Sequence, residues 1–120
     1  MTIGNCSHIE SLTIDEGDPD QKVTELEKIT IHFGYPLTHA TDMEFVHPGG
    51  FSYRNFLQAV HDGYAKIYAA EKDPGRAHAN SMNRGRSEGP YGIWGHDMGD
   101  LFLEGIEETA PGKFQILVGS

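Results

Sequence analysis

Residues 51–72 read FSYRNFLQAVHDGYAKIYAAEK, and this stretch decides the fold because its apolar residues recur every three or four positions. Such spacing places the side chains on one face of an α-helix. The apolar positions are Tyr53, Phe56, Leu57, Val60, Tyr64, Ile67 and Tyr68. We therefore predict an amphipathic helix whose apolar stripe packs against the core of the domain.

The ends of this helix are marked in the sequence. Ser52 is placed to cap the N-terminus, because a serine hydroxyl accepts a hydrogen bond from an otherwise unpaired N–H of the first turn. Pro74 and Gly75 place the C-terminal end near Lys72. Gly63 lies inside the helix, where glycine costs about 1 kcal/mol relative to alanine. Close approach of another backbone would explain it.

Two strands are predicted before the helix and two after it. Ile29, Ile31 and Phe33 alternate with polar residues, and a second short strand fits residues 42–47. After the helix, residues 101–106 and 114–118 form the strands of a hairpin, and Pro111 and Gly112 supply its turn. Period two with β-branched and aromatic residues is typical of half-buried strands.

The predicted fold class is α+β, with elements in the order β-β-α-β-β. One amphipathic helix on one face of a four-stranded sheet lets the helix stripe and one sheet face cover each other. This order resembles the β-grasp, or ubiquitin-like, fold. The resemblance concerns fold only and carries no function.

The chain of 120 residues is short enough for one domain. Seven acidic residues lie between Glu10 and Glu27, so residues 1–21 are expected to be an acidic, partly disordered leader. Residues 22–120 then form the single α+β domain. That domain includes a long loop over residues 73–99, which holds no clear periodicity.

Charge and cysteine content exclude several classes of protein. Nine basic and 18 acidic residues give a formal net charge of −9, which argues against nucleic-acid binding and against docking on anionic membranes. No apolar run approaches the roughly 20 residues that span a bilayer, and the first residues do not read as a signal peptide. One cysteine excludes an internal disulfide, so a reducing cytoplasm is the expected compartment.

The most unusual segment is residues 91–100, YGIWGHDMGD. His96 is a candidate general acid or base, and Asp97 or Asp100 is a candidate to orient its ring. Tyr91 and Trp94 are candidates for the aromatic wall of a ligand-binding notch. The structural alternative is that the aspartates cap turns, the histidine is a satisfied buried imidazole and the tryptophan belongs to the core.

A basic cluster lies in the polar part of the long loop. Arg76, Arg84 and Arg86 carry planar donor groups suited to carboxylate or phosphate, so they could bind a small anionic ligand or the acidic leader. The alternative is an exposed loop without a ligand. No phosphate-loop or dinucleotide-binding pattern is present, and no cofactor is expected.

A third cluster of polar residues lies just before the helix. His39, Asp42, Glu44 and His47 are residue types that bind divalent metals, but their spacing matches no strong zinc motif. In a strand Asp42 and Glu44 share a face while His47 points the other way, which weakens the metal hypothesis. The alternative is a set of solvated polar positions around a short strand.

These observations favour a small binding or interaction module that recognises a protein partner, a second copy of itself or a small ligand through residues 76–100. Exposed sheet edges would support pairing with a partner strand. The first alternative is a small hydrolase or lyase that uses His96. The second is a metal-binding protein that uses the cluster around Asp42.

Overall fold

The helix forms over Tyr53–Ala70, and Ser52 caps it as the sequence predicts. The structure, a computed structural model, describes residues 2–71, 90–93 and 98–119. The Ser52 hydroxyl accepts a hydrogen bond of 3.2 Å from the backbone N–H of Asn55. In return, the Asn55 side chain accepts one of 3.1 Å from the backbone N–H of Ser52. Two otherwise unpaired donors at the helix start are thereby satisfied.

The described residues form eight strands, six of which build one mixed sheet. The strands are β1 (Thr2–His8), β2 (Thr13–Glu16), β3 (Lys22–Thr24), β4 (Lys28–Phe33), β5 (Thr41–Val46), β6 (Phe51–Ser52), β7 (Phe102–Ala110) and β8 (Lys113–Gly119). Their order in the large sheet is β2-β1-β7-β8-β4-β5, and β3 pairs with β6 in a separate small sheet. All neighbours in the large sheet are antiparallel except β4 and β8, which are parallel.

The core lies between the helix and one face of the large sheet. The helix buries most of its apolar stripe there, including Tyr53, Phe56 and Tyr64. Strand β4 buries Ile29, Ile31 and Phe33 in the same cluster, and the neighbouring strands add further apolar residues. The two amphipathic surfaces cover each other, so the two-layer arrangement follows from the two sequence periodicities.

The predicted strands β4, β5, β7 and β8 and the turn at Pro111 are confirmed. The prediction of a four-stranded sheet in the order β-β-α-β-β is wrong, and with it the β-grasp order. Six strands precede the helix, and the large sheet has six members. The α+β class, with one helix on a large mixed sheet, holds.

Two of the strands missed by the sequence analysis lie in residues 1–21, where an acidic leader is expected. Strand β1 has few apolar residues, and it pairs through its main chain with β7 on one side and β2 on the other. Main-chain pairing leaves little trace in a hydrophobic pattern, because every residue type except proline carries the same donor and acceptor. The separate strands β3 and β6 are only three and two residues long, too short for a periodicity to emerge.

Gly63 is explained by a side chain, not by the backbone approach that the sequence suggests. A Cβ atom at this position would fall on the ring of Phe33 from strand β4. That ring also packs edge-on against Tyr64, with centroids 5.1 Å apart. The glycine therefore lets the helix lie close to strand β4.

Among the described residues no helix is long and apolar enough to cross a membrane.

Candidate uncovered-face site

The face of the large sheet that points away from the helix is largely exposed and mostly polar. In β4 the residues Lys28 and His32 are exposed while the residues between them are buried or half-buried, and the other strands alternate in a similar way. We call this surface the uncovered face. It comprises His8, Asp15, Lys28, Thr30, His32, Asp42, Glu44, Val46, Phe102, Glu104, Glu107, Thr109, Lys113, Gln115 and Leu117.

Negative charge dominates the uncovered face. Its charged residues are Asp15, Asp42, Glu44, Glu104 and Glu107 against Lys28 and Lys113. With the histidines neutral, five negative and two positive charges leave a formal net charge of −3. The field above this face therefore attracts cations and repels anions.

A cleft of about 320 Å³ opens on this face where β4, β5, β7 and β8 lie side by side. Its lining residues are Thr30, His32, Asp42, Thr109, Lys113, Phe114 and Gln115. The register explains their convergence, because His32 lies opposite Asp42 on one side and opposite Gln115 on the other. The cleft thus brings one carboxylate, one imidazole, one ammonium group and several neutral hydrogen-bonding groups together.

His32 and Asp42 form the shortest polar contact in the cleft. The His32 Nδ1 atom lies 2.6 Å from the Asp42 Oδ1 atom, and the two side chains are 50% and 62% exposed. A carboxylate at Nδ1 fixes the orientation of the imidazole ring and leaves Nε2 to act as donor or acceptor. This is the arrangement of an oriented general acid or base, set in a solvent-accessible cleft.

A second histidine–aspartate pair lies at the opposite end of the uncovered face. The His8 Nε2 atom is 2.9 Å from the Asp15 Oδ2 atom. The His8 ring also packs on Phe102, with ring centroids 4.4 Å apart. Both edge strands of the sheet, β2 and β5, are thus tied to their inner neighbours by a carboxylate that bonds a histidine.

The segment predicted to carry chemistry is only partly described. Trp94, His96 and Asp97 lie outside the described residues, as do the loop arginines Arg76, Arg84 and Arg86. Tyr91 is half-buried, and Asp100 ends a short 3-10 helix over Met98–Asp100. Catalytic and ligand-binding roles for these residues stay predictions.

The four residues of the metal hypothesis do not converge. Asp42 bonds His32, and Glu44 lies 3.4 Å from the Lys28 ammonium. The His47 Nδ1 atom lies 2.9 Å from the carbonyl of Gly50, and the backbone N–H of His39 bonds Tyr91. Within the described ranges, no group of three or more histidine, cysteine or carboxylate residues could hold a metal ion.

A buried carboxylate at the end of the helix is not predicted from the sequence. Glu71 is only 6% exposed, and its side chain accepts hydrogen bonds from the backbone N–H groups of Tyr91, Gly92 and Ile93. The shortest of these, to Gly92, measures 2.7 Å. Gly92 has a φ of +64°, a conformation that glycine adopts without strain. A glutamate at a helix end is expected to be exposed to solvent, so only the tertiary structure reveals this contact.

Two buried tyrosines tie the helix to the sheet and to the loop that follows β4. The Tyr53 hydroxyl lies 2.6 Å from the Ser7 hydroxyl, and the Tyr64 hydroxyl donates to the carbonyl of Tyr35. Burial raises the pKa of Tyr53, although the hydrogen bond to Ser7 opposes the rise. Burial also raises the pKa of Tyr64, by a larger amount. Both hydroxyls therefore stay protonated in the folded protein well above neutral pH.

Comparison with known proteins adds nothing to this geometry: no protein-family model, no curated protein and no solved structure matches the chain.

Proposed function

We propose that this protein is a binding domain that recognises a positively charged segment of a protein partner on its uncovered face. The proposal narrows the expectation of a binding module to one surface and one kind of partner. The observation that carries it is the excess of exposed carboxylates on a sheet face that the helix does not cover. Five carboxylates against two ammonium groups make this face a surface that favours a cationic partner over an anionic one.

The exposed groups on this face are available to a partner at low cost. The Lys28–Glu44 pair has a separation of 3.4 Å, and its side chains are 66% and 62% exposed. Exposed ion pairs of this kind contribute only about 0–1 kcal/mol, so a partner cation can replace Lys28 with little penalty. The net negative charge of the uncovered face favours a cationic partner over the small anionic ligand expected from the arginine cluster.

The test is binding of a capped, unstructured peptide of repeating lysine and serine, measured by fluorescence anisotropy at low and high ionic strength. We expect binding that weakens with added salt, because exposed charges are screened. The double variant Glu104→Lys with Glu107→Lys should weaken binding about tenfold, since it reverses two charges at the centre of the face.

The matched control is Asp20→Lys with Asp62→Lys, which changes the net charge equally. Asp62 lies on the helix, and Asp20 lies in the loop that bonds the helix N-terminus. Binding should stay within about twofold of the parent protein. Equal weakening in both double variants would mean that net charge alone governs binding, and the proposal would be wrong.

A second function, general acid–base catalysis, is favoured by the His32–Asp42 pair. The two atoms at 2.6 Å lie in a cleft that also presents Thr30, Thr109 and Lys113. In this proposal His32 takes the role that the sequence analysis gave to His96. Hydrolysis of an activated phenyl ester should then exceed the buffer rate and be lost in His32→Ala, while an unchanged rate in that variant would exclude the function.

For the compartment, the single cysteine supports our proposal of a reducing cytoplasm.

A further inference from the structure

Strand β5 offers a long and regular edge for main-chain pairing. It has six residues and pairs with β4 over its whole length without a bulge. The other edge strand of the large sheet, β2, has four residues and faces a bulge between Cys6 and Ser7. Short and bulged edges resist further pairing, whereas long and flat edges accept it.

The hydrogen bonds around β5 show which of its backbone groups point outward. The backbone N–H of His47 donates to the carbonyl of Glu27 at 2.8 Å, so His47 faces β4. In an antiparallel pair the direction of the N–H and C=O groups alternates along the strand. The outward groups therefore belong to Asp42, Glu44 and Val46.

A hydrogen bond on the edge of β4 that faces away from β5 supports this assignment. Thr30 lies opposite Glu44, and its backbone N–H donates to the carbonyl of Gly112 at 2.8 Å, away from β5. Thr30 and Glu44 thus form a pair whose main-chain groups point outward from each other. In the described part of the chain no residue bonds the outer edge of β5.

The side chains of β5 define what a partner strand must carry. Asp42 and Glu44 are exposed on the uncovered face, and Val46 beside them is 70% exposed. Met43 and Phe45 point to the other face, where they are half-buried against the core. Because residues opposite each other in neighbouring strands share a face, a partner needs positive charges opposite the acids and apolar residues between them.

We infer that β5 adds a strand from a protein partner, an extended segment with lysine or arginine at two alternate positions and apolar residues between them. The inference rests on the proposed function and gives it a docking mode. Main-chain hydrogen bonds to Asp42, Glu44 and Val46 would supply affinity. The two acidic side chains would supply the preference for a basic segment.

A second copy of this chain fits the same edge poorly. An antiparallel pairing centred on Glu44 places that carboxylate directly opposite its own copy. Shifting the register by two residues in one direction places Asp42 opposite Glu44 twice. The opposite shift places Glu44 opposite Val46 but leaves only three residues of each strand paired. Like charges in opposed positions destabilise a pair of strands, so the acids that attract a basic partner also discourage self-pairing.

The test uses a capped synthetic peptide containing Val-Lys-Val-Lys-Val, titrated into the isotope-labelled protein and followed by NMR. Three peptides serve as controls: one with glutamate in place of lysine, one with the same residues in the order Lys-Lys-Val-Val-Val, and one with N-methyl groups on alternate backbone amides. We expect the alternating basic peptide to shift the amide signals of β5 most. The N-methylated peptide should bind at least about fivefold more weakly, because it lacks the edge hydrogen bonds.

Variants at Val46 test the contribution of main-chain pairing to peptide affinity without changing the charge of the protein. Val46→Pro removes one outward N–H, and proline is tolerated on an edge strand where the N–H faces solvent. Val46→Ala removes most of the side chain but keeps the N–H. We expect Val46→Pro to bind the alternating peptide about fivefold more weakly and Val46→Ala to stay within about twofold of the parent.

The outcomes distinguish this inference from the function on which it rests. If no basic peptide binds, the proposed function fails. If the basic peptides bind equally with and without N-methyl groups, and the shifts centre on β7 and β8, the proposed function stands and the β5 inference is overturned. If all lysine-containing peptides bind alike whatever their order, the alternation is irrelevant and the inference is likewise overturned.

Discussion

The two sides of the sheet hold their polar groups in opposite ways. On the helix side, the Glu71 carboxylate and the Tyr53 and Tyr64 hydroxyls are buried and bonded to partners inside the protein. On the uncovered face, the pairs His32–Asp42 and Lys28–Glu44 are at least half exposed. Buried polar groups are expensive to leave unpaired, whereas exposed pairs are nearly dispensable for folding. The first set therefore belongs to the scaffold, and the second is available for the recognition that we propose.

Among the substitutions that test this comparison, the largest loss of stability is expected at Glu71. Glu71→Ala removes the acceptor for two buried backbone N–H groups and one half-buried one, so we expect the free energy of unfolding to fall by about 3 kcal/mol. Glu71→Gln keeps one acceptor oxygen in place and should cost about half as much. Urea denaturation measures both, and a Glu71→Ala variant as stable as the parent would mean that this carboxylate is not part of the scaffold.

The next largest effect is expected at Gly63. Gly63→Ala should gain about 1 kcal/mol from helix propensity, but its Cβ would fall on the Phe33 ring, and overpacking costs about 1–3 kcal/mol. We expect a net loss of up to about 2 kcal/mol by thermal or urea unfolding. In a Phe33→Leu background the same substitution should cost less, since the ring is gone. An equal cost in both backgrounds would contradict the contact as the cause.

The burial of Tyr64 can be tested through the pH dependence of the free energy of unfolding. Above pH of about 10 a tyrosine in the unfolded chain loses its proton, while buried Tyr64, whose pKa is raised, keeps it. The unfolded state then binds fewer protons, so stability falls as pH rises. Tyr64→Phe should make this alkaline fall shallower by up to about 1.4 kcal/mol per pH unit, although it loses a hydrogen bond at neutral pH. If the free energy of unfolding fell with the same slope against pH in the parent and the variant, burial would not be keeping the Tyr64 hydroxyl protonated.

The smallest effect is expected on the uncovered face. Asp42→Asn and His32→Gln break an exposed pair, so each should change the free energy of unfolding by less than about 0.5 kcal/mol. Urea denaturation at neutral pH is the measurement. A loss as large as that of Glu71→Ala would move Asp42 from the recognition surface to the scaffold.

Sequence periodicity was sufficient for the elements that face the core. The helix from Tyr53, the alternation of Ile29 and Ile31, and the turn at Pro111 all report burial, and burial leaves a regular trace in the sequence. Strand β1 left no such trace because few of its residues are apolar. The parallel pairing of β4 with β8 joins segments far apart in the chain, and no local pattern reports it.

The candidate site was harder to predict than the fold. Asp42 and Glu44 were singled out, but as metal ligands, because the sequence shows their chemistry and not their neighbours. His32 is one of the polar residues that alternate with Ile29, Ile31 and Phe33, and nothing in that local pattern predicts that the register brings it to Asp42. The expected site around His96 lies largely outside the described residues, so the arrangement there stays a prediction.

The most direct test of the central claim measures stability and binding on one variant. Asp42→Lys with Glu44→Lys reverses both acids on the edge of the uncovered face. We expect its free energy of unfolding to fall by less than about 1 kcal/mol, while its affinity for the alternating lysine–valine peptide falls at least about tenfold. Unchanged affinity in a fully folded variant would contradict the assignment of these two acids, and of the β5 edge that carries them, to recognition.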